Sequence, residues 1–186
     1  MATKIGLIAE DMSDVEVLKR LVKKLTKKAT SFSQFVGKGC GALRRKTRGW
    51  CKDLERKGCS RIVLVHDLDR NNAVSLRSDL EKILKESTSL KQAVVIPVEE
   101  LEAWLLSDSR AISKALSMSK PFKSVHNPET IRSPKEYIRD TVWKASNRTK
   151  QYVNSVHNKL IAEEVDIDLI KTKCPSFRDF AVFFGD

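Results

Sequence analysis

Apolar positions follow two rhythms along the chain. Short apolar runs of about six residues alternate with longer stretches in which apolar residues return every three or four positions, which predicts a parallel sheet covered by helices on both faces. Lys4 to Ala9 predicts the first strand, and Ser13 followed by Glu16 predicts a capping box opening a helix through Lys28. Ser31 to Val36 predicts a second strand, Gly37, Gly39 and Gly41 a flexible turn, and Ala42 to Lys57 a basic helix stopped at Gly58. Arg61 to His66 predicts the third strand, Asn71 and Asn72 the opening of a helix from Ala73 to Glu86, and Lys91 to Ile96 a fourth, buried strand. Pro97 suits the first position of a further helix.

Beyond Asp108 the β pattern stops. Pro121, Pro128, Pro134 and Pro175 punctuate helical stretches, so residues 109–186 read as a helical appendage packed on an α/β domain of residues 1–108. Ser117 to Ser133 reads as a linker, and Phe177, Phe180, Phe183 and Phe184 form an apolar stripe that predicts a docking helix.

Composition narrows the class. A chain of 186 residues has room for one domain with an appendage, and burial of roughly 70% of its unfolded surface makes staples unnecessary. Cys40, Cys51, Cys59 and Cys174 form no C-x-x-C pair, which fits a reducing compartment better than a zinc site or disulfide framework. The opening MATKIGLIAED ends its apolar run in carboxylates, as a core strand does and a signal peptide does not. No apolar stretch is long enough to span a bilayer, so the expected setting is the cytoplasm, with no membrane partner. Lys and Arg number 35 against 24 Asp and Glu, and the first 60 positions hold 15 of the basic but only 6 of the acidic residues. That uneven excess predicts attraction to a polyanion, the alternative being generic solubility.

Strand ends decide the chemistry, because open parallel sheets bind ligands outside the carboxyl ends of their strands. Here those positions are acidic: Glu10-Asp11, Asp67-Leu68-Asp69 and Glu99-Glu100-Leu101-Glu102. If the chain stays extended, Asp67 and Asp69 point to one side while Leu68 turns to the core. Crowded carboxylates raise one another's pKa unless a cation intervenes, and Mg²⁺ or Mn²⁺ suits such oxygen ligands. Duller readings stand beside this one: Asp11, Asp14 and Glu99 suit first helical turns, and His66 reads as a packed strand residue. His126 and His157 lack metal-ligand spacing, and no G-x-S-x-G nucleophile motif occurs.

A strand-end Glu10 followed by the D-x-D of Asp67 and Asp69 resembles the Toprim fold shared by primases, topoisomerases and overcoming-lysogenization-defect nucleases. P-V-E-E-L-E-A-W-L-L-S-D from Pro97 to Asp108, with C-P-S-F from Cys174 to Phe177, is similar to the Toprim-like uncharacterised-domain family numbered 4276, over nearly the whole chain. The resemblance implies an α/β, Toprim-like doubly wound sheet of about four mainly parallel strands flanked by helices, with a C-terminal helical appendage. It implies a Mg²⁺-dependent nuclease with Glu10, Asp67 and Asp69 catalytic, and Asp14, Glu100 and Glu102 joining them as metal ligands. Leu101, Trp104 and Leu105 would form a buried helix face. Asp11 departs from the pattern, since Toprim sequences commonly carry glycine there, and this bears on the turn that places Glu10. Such relatives are often encoded with an ATPase in bacterial anti-phage defence, which implies an ATPase partner; a homo-oligomer stays open.

Two basic stripes are candidate phosphate contacts. Lys19, Arg20, Lys23, Lys24, Lys27 and Lys28 make the first. The second yields the preferred nucleic-acid contacts, Lys38, Arg44, Arg45, Lys46 and Arg48, because glycines beside forked guanidinium groups suit phosphate, with DNA ahead of RNA. Trp50 stacks on a base or fills the core. A receiver domain would need Ser or Thr after the fourth strand and Lys after a fifth, and a haloacid-dehalogenase-type phosphatase places its D-x-D after the first strand; neither pattern is present. A non-catalytic nucleic-acid-binding or assembly module on the same fold is the standing alternative.

Overall fold

The four apolar runs form one parallel sheet in the computed structural model, which describes residues 3–26, 28–37 and 40–185. Its strands are β1 (Thr3–Ala9), β2 (Thr30–Val36), β3 (Arg61–Val65) and β4 (Lys91–Val95), in the order β2-β1-β3-β4. From β1 the chain first moves outward to β2 and later returns to the other side of β1 with β3. That reversal opens a crevice at the carboxyl ends of β1 and β3, where doubly wound sheets place their ligands.

Strand periodicity sends alternate residues to two layers. Ile5, Leu7 and Ala9 pack with α1 (Met12–Leu25), whereas Ile8, Ile62 and Leu64 pack with α2 (Cys40–Arg56) and α3 (Ala73–Lys85). Each fully buried leucine or isoleucine contributes about 1.5–3 kcal/mol, so α1 on one face and α2 with α3 on the other hold the sheet. Gly6 marks the closest approach: a Cβ there would lie 2.8 Å from Leu54 Cδ1 of the buried α2 face. Gly6→Ala should therefore cost about 1–3 kcal/mol through overpacking, read as a lower urea midpoint; a midpoint equal to wild type would remove this reason for the glycine.

Helix starts depart from the sequence expectation in instructive ways. The cap of α1 is Asp11, whose carboxylate accepts the Asp14 N–H at 3.1 Å while Asp14 accepts the Asp11 N–H at 3.3 Å. Ser13 lies inside the helix instead, and α1 ends at Leu25, short of Lys28. Asp11 is extended, with φ −138, so the turn after Glu10 needs no glycine. α2 starts at Cys40, taking Gly41 into the helix; it stops as expected at Gly58, whose φ of 76 suits glycine. Of the expected turn, Gly39 lies outside the described residues. No helix starts at Pro97. Its carbonyl accepts the Leu68 N–H at 3.1 Å and Glu99, at φ 59, turns away from helical geometry, so α4 (Glu102–Leu105) begins later.

The C-terminal helices cover the α1 face. These are α5 (Ser109–Ala115), α6 (Pro134–Ala145), α7 (Asn154–Glu164), α8 (Ile167–Lys173) and α9 (Pro175–Phe184). Their Ile112, Ile138, Ile161, Ile170 and Phe180 share one hydrophobic cluster with β1 and α1. The segment read as a linker is anchored in that cluster by Phe122 and Val125. Trp104 packs edge-on against Phe177, 5.0 Å between centroids, and donates to Ser176 Oγ at 2.8 Å. The two motifs at Pro97 and Cys174 thus meet in the core, with Leu101 and Leu105 buried beside them and Phe177, Phe180 and Phe184 docked as the stripe predicted. Among the described residues no helix is long and apolar enough to cross a membrane.

Candidate metal centre

β1 and β3 are neighbours, so the residues that follow them share one edge of the sheet. Glu10 Oε1 lies 3.1 Å from His66 Nδ1, and the same nitrogen is 2.6 Å from the Asp67 carbonyl oxygen. Only the second contact has hydrogen-bond geometry; Glu10 Oε1 and His66 Nε2 are buried without a hydrogen-bond partner among the described residues. Asp67 Oδ1 accepts the Leu101 N–H at 3.0 Å, tying the end of β3 to the turn before α4. From α1, Asp14 is buried beneath this edge; from α4 comes Glu102, only 3% exposed.

Burial and, after it, neighbouring charge act on each of these acids. Burial raises the Glu10 pKa; His66 opposes the rise, while Asp69 and Asp11 add to it. Burial, then Asp11, Glu102 and Glu10, push Asp14 up to about 8. Asp67 is held well above its ordinary value by burial and then by Asp14, Glu102, Glu10 and Asp69. Glu102 is raised as well, by burial, although Lys135 and the Asn158 amide counteract it. Four carboxylates from β1, α1, β3 and α4 thus retain protons more tightly than isolated acids do.

Residues 9–182 match the family described as "Domain of unknown function (DUF4276)". The chain belongs to the DUF4276 family. No curated protein and no solved structure matches it. In this DUF4276 chain both motifs noted above and every acid of the edge fall inside the matched span.

The remaining expected ligands sit further out. Asp69 is exposed at φ 46, so the chain is not extended through D-x-D, and the strand geometry expected to place Asp67 and Asp69 on one side does not hold there. Its N–H donates to the Glu99 carbonyl at 3.3 Å, which couples the loops after β3 and β4. Glu100 is drawn toward α6: its carboxylate accepts the Lys135 N–H at 2.8 Å. Among the described residues no three His, Cys, Asp or Glu side chains converge enough to hold an ion by themselves. The donor set nevertheless fits Mg²⁺, which is commonly held by one or two carboxylates with waters and substrate phosphate. The orphaned Glu10 oxygen beside Asp67 offers such hard-oxygen ligation.

The basic stripes divide. On α1, Lys19 and Arg20 pair with Glu16, Arg20 also with Glu163, and Lys24 donates to the Val165 carbonyl, so this stripe largely faces its own fold. On α2, Arg44 and Arg48 pair with Asp79 and Glu86 of the α3 segment, leaving Arg45 and Lys46 as exposed cations among the preferred contacts. Lys38 and Lys27 lie outside the described residues. Trp50 is half-buried and stacks on Phe35.

Sequence reading missed three groups. Asn158 of α7 is fully buried and donates to Glu102 Oε1 at 2.9 Å and Ser13 Oγ at 3.0 Å, while accepting from the Tyr152 hydroxyl. Lys135, at the start of α6, faces the acids; burial works against its charge, but Glu102, Glu100, Asp11 and Asp67 outweigh burial and raise its pKa. His66, expected as plain packing, is buried yet touches Glu10. Asn158 and Lys135 arrive from segments with no strand-end signal, so only tertiary packing brings them here.

Proposed function

We propose that this chain is a Toprim-type, Mg²⁺- or Mn²⁺-dependent nuclease acting on nucleic-acid phosphodiesters. The reading is carried by one observation: Glu10, Asp14, Asp67 and Glu102, supplied by four separate segments, lie at the sheet's switch point, where burial first and their neighbouring charges second raise their pKa values. Such crowding is stabilised by a divalent ion. Glu10, Asp67 and Asp69 are the catalytic set, with Asp14, Glu100 and Glu102 as further ligands. When bound there, the ion supplies Lewis-acid stabilisation of charge on a phosphodiester. The chain's own contributions are distinct. Glu10, its pKa raised chiefly by burial, is the group positioned to take up or release a proton at Oε1 or Oε2; Lys135 balances negative charge; and Arg45 and Lys46 draw the backbone toward the edge. The same Toprim resemblance supports an ATPase partner and a role in anti-phage defence, and the thiols left unpaired at Cys51, Cys59 and Cys174 among the described residues fit a reducing, cytoplasmic setting.

A second reading is a nucleic-acid-binding or assembly module without catalysis. It is favoured by the engagement of several acids within the protein, Asp67 by Leu101, Glu100 by Lys135 and Glu102 by Asn158. Labelled single-stranded and duplex DNA and RNA, incubated with the protein in Mg²⁺, Mn²⁺ or EDTA, separate the two. The nuclease reading expects cleavage that EDTA abolishes and that Asp67→Ala and Asp69→Ala lose. Tight binding with no cleavage under any metal supports the module instead.

A further inference from the structure

The sheet has two outer edges, and the protein treats them differently. At β4 the Arg77 guanidinium donates to the Val94 carbonyl at 3.2 Å, and Asp179 of α9 in turn holds Arg77 at 3.4 Å. A charged side chain seated on main-chain groups is a usual way to close an edge. β2 has no such closure among the described residues. It pairs only with β1, runs for seven residues and, as TSFSQFV, contains no charge and no proline.

Its hydrogen-bonding parity is fixed by the ends of the ladder. The Gly37 N–H donates to the Ala9 carbonyl at 2.9 Å, and the Thr3 N–H donates to the Ala29 carbonyl at 3.1 Å. In a parallel ladder the groups of alternate residues turn to the same neighbour. Odd-numbered β2 residues therefore bond to β1, and Thr30, Phe32, Gln34 and Val36 present both N–H and C=O outward. An occupant must supply acceptors and donors in alternation at strand spacing, which a peptide backbone does and a sugar-phosphate backbone does not.

The surroundings specify its side chains. Phe35 and Trp50 are stacked 5.3 Å apart beside the strand, with Lys57 over the first ring at 4.6 Å and Lys46 over the second at 6.0 Å. Lys28, Lys46, Lys52 and Lys57 are exposed in this most basic part of the chain. A second copy would bring a strand without a single acid and the same positive flank, so self-pairing lacks complementarity.

We propose that the open edge of β2 is a docking site for an extended acidic peptide segment of a partner protein, which adds to the sheet as a fifth strand. The proposal is independent of nuclease activity. The probe is a fluorescent decapeptide of alternating glutamate and valine, titrated into the full chain. Binding is expected in the micromolar range, with loss of about tenfold or more in affinity on alternate N-methylation of the peptide or replacement of its glutamates by lysine. Gln34→Pro should weaken binding as strongly with an unchanged melting temperature, because the N–H it removes points outward. Amide exchange gives a readout that needs no variant: the peptide should protect Phe32, Gln34 and Val36, while Ser33 and Phe35 are protected already. Absence of binding, indifference to N-methylation, protection of these amides by single-stranded DNA instead, or a wild-type dimer that Gln34→Pro dissolves would each overturn the assignment.

Discussion

Glu10→Gln is expected to slow single-turnover cleavage by about 10²–10⁴-fold while leaving affinity for nucleic acid nearly unchanged. On the proposed reading, Glu10 combines three properties that Gln cannot reproduce together: charge when ionised, a pKa raised by burial toward that of a proton-transfer group, and an oxygen left without a hydrogen bond beside His66. Glutamine keeps the shape and one carbonyl oxygen but transfers no proton. The pH profile tells apart the two roles open to this side chain. If it donates a proton, the wild-type rate falls on the alkaline side, the variant loses that limb, and added Mn²⁺ restores little. If it is only a ligand, raising the metal concentration recovers most of the rate. A variant as fast as wild type at saturating metal would remove Glu10 from the catalytic set.

Much of this edge was legible from residue order alone. Four apolar runs gave four parallel strands, and acids placed directly after the first and third fell at the switch point because sheet topology brings those ends together. What escaped was local competition and distant packing. Ser13 and Asp11 both suit a cap, and Asp11 wins because its extended backbone aims its carboxylate at the Asp14 N–H, freeing Ser13 for Asn158. Pro97 suits a helix start, but its carbonyl is claimed by Leu68 across the loop. The extended D-x-D failed because Asp69 adopts a left-handed turn to meet Glu99, a pairing between loops that no periodicity encodes. Lys135 and Asn158 lie 33 or more positions from the nearest strand-end acid motif and carry no pattern of their own.

In EDTA the folded protein should lose stability as pH rises from 5 to 9, the reverse of a protein whose carboxylates are salt-bridged. Asp14 titrates near 3.9 when unfolded and at about 8 when folded. The folded state therefore keeps a proton that the unfolded chain has released. This contribution is fully present below about pH 4 and is lost as pH climbs through about 8. Glu10, Asp67 and Glu102 shift in the same direction. Asp14 alone corresponds to about 4 kcal/mol between pH 5 and 9, which at about 2–4 °C per kcal/mol gives a fall on the order of 10 °C in melting temperature. Asp14→Asn should flatten the profile and raise the alkaline melting temperature, since an amide oxygen can still accept the Asp11 N–H. Millimolar Mg²⁺ should do the same for wild type by neutralising the cluster, with stabilisation growing as the logarithm of its concentration. A melting temperature in EDTA that stays level or climbs between pH 5 and 8 would mean that the acids do not share one buried field, and the proposed metal centre would lose its physical basis.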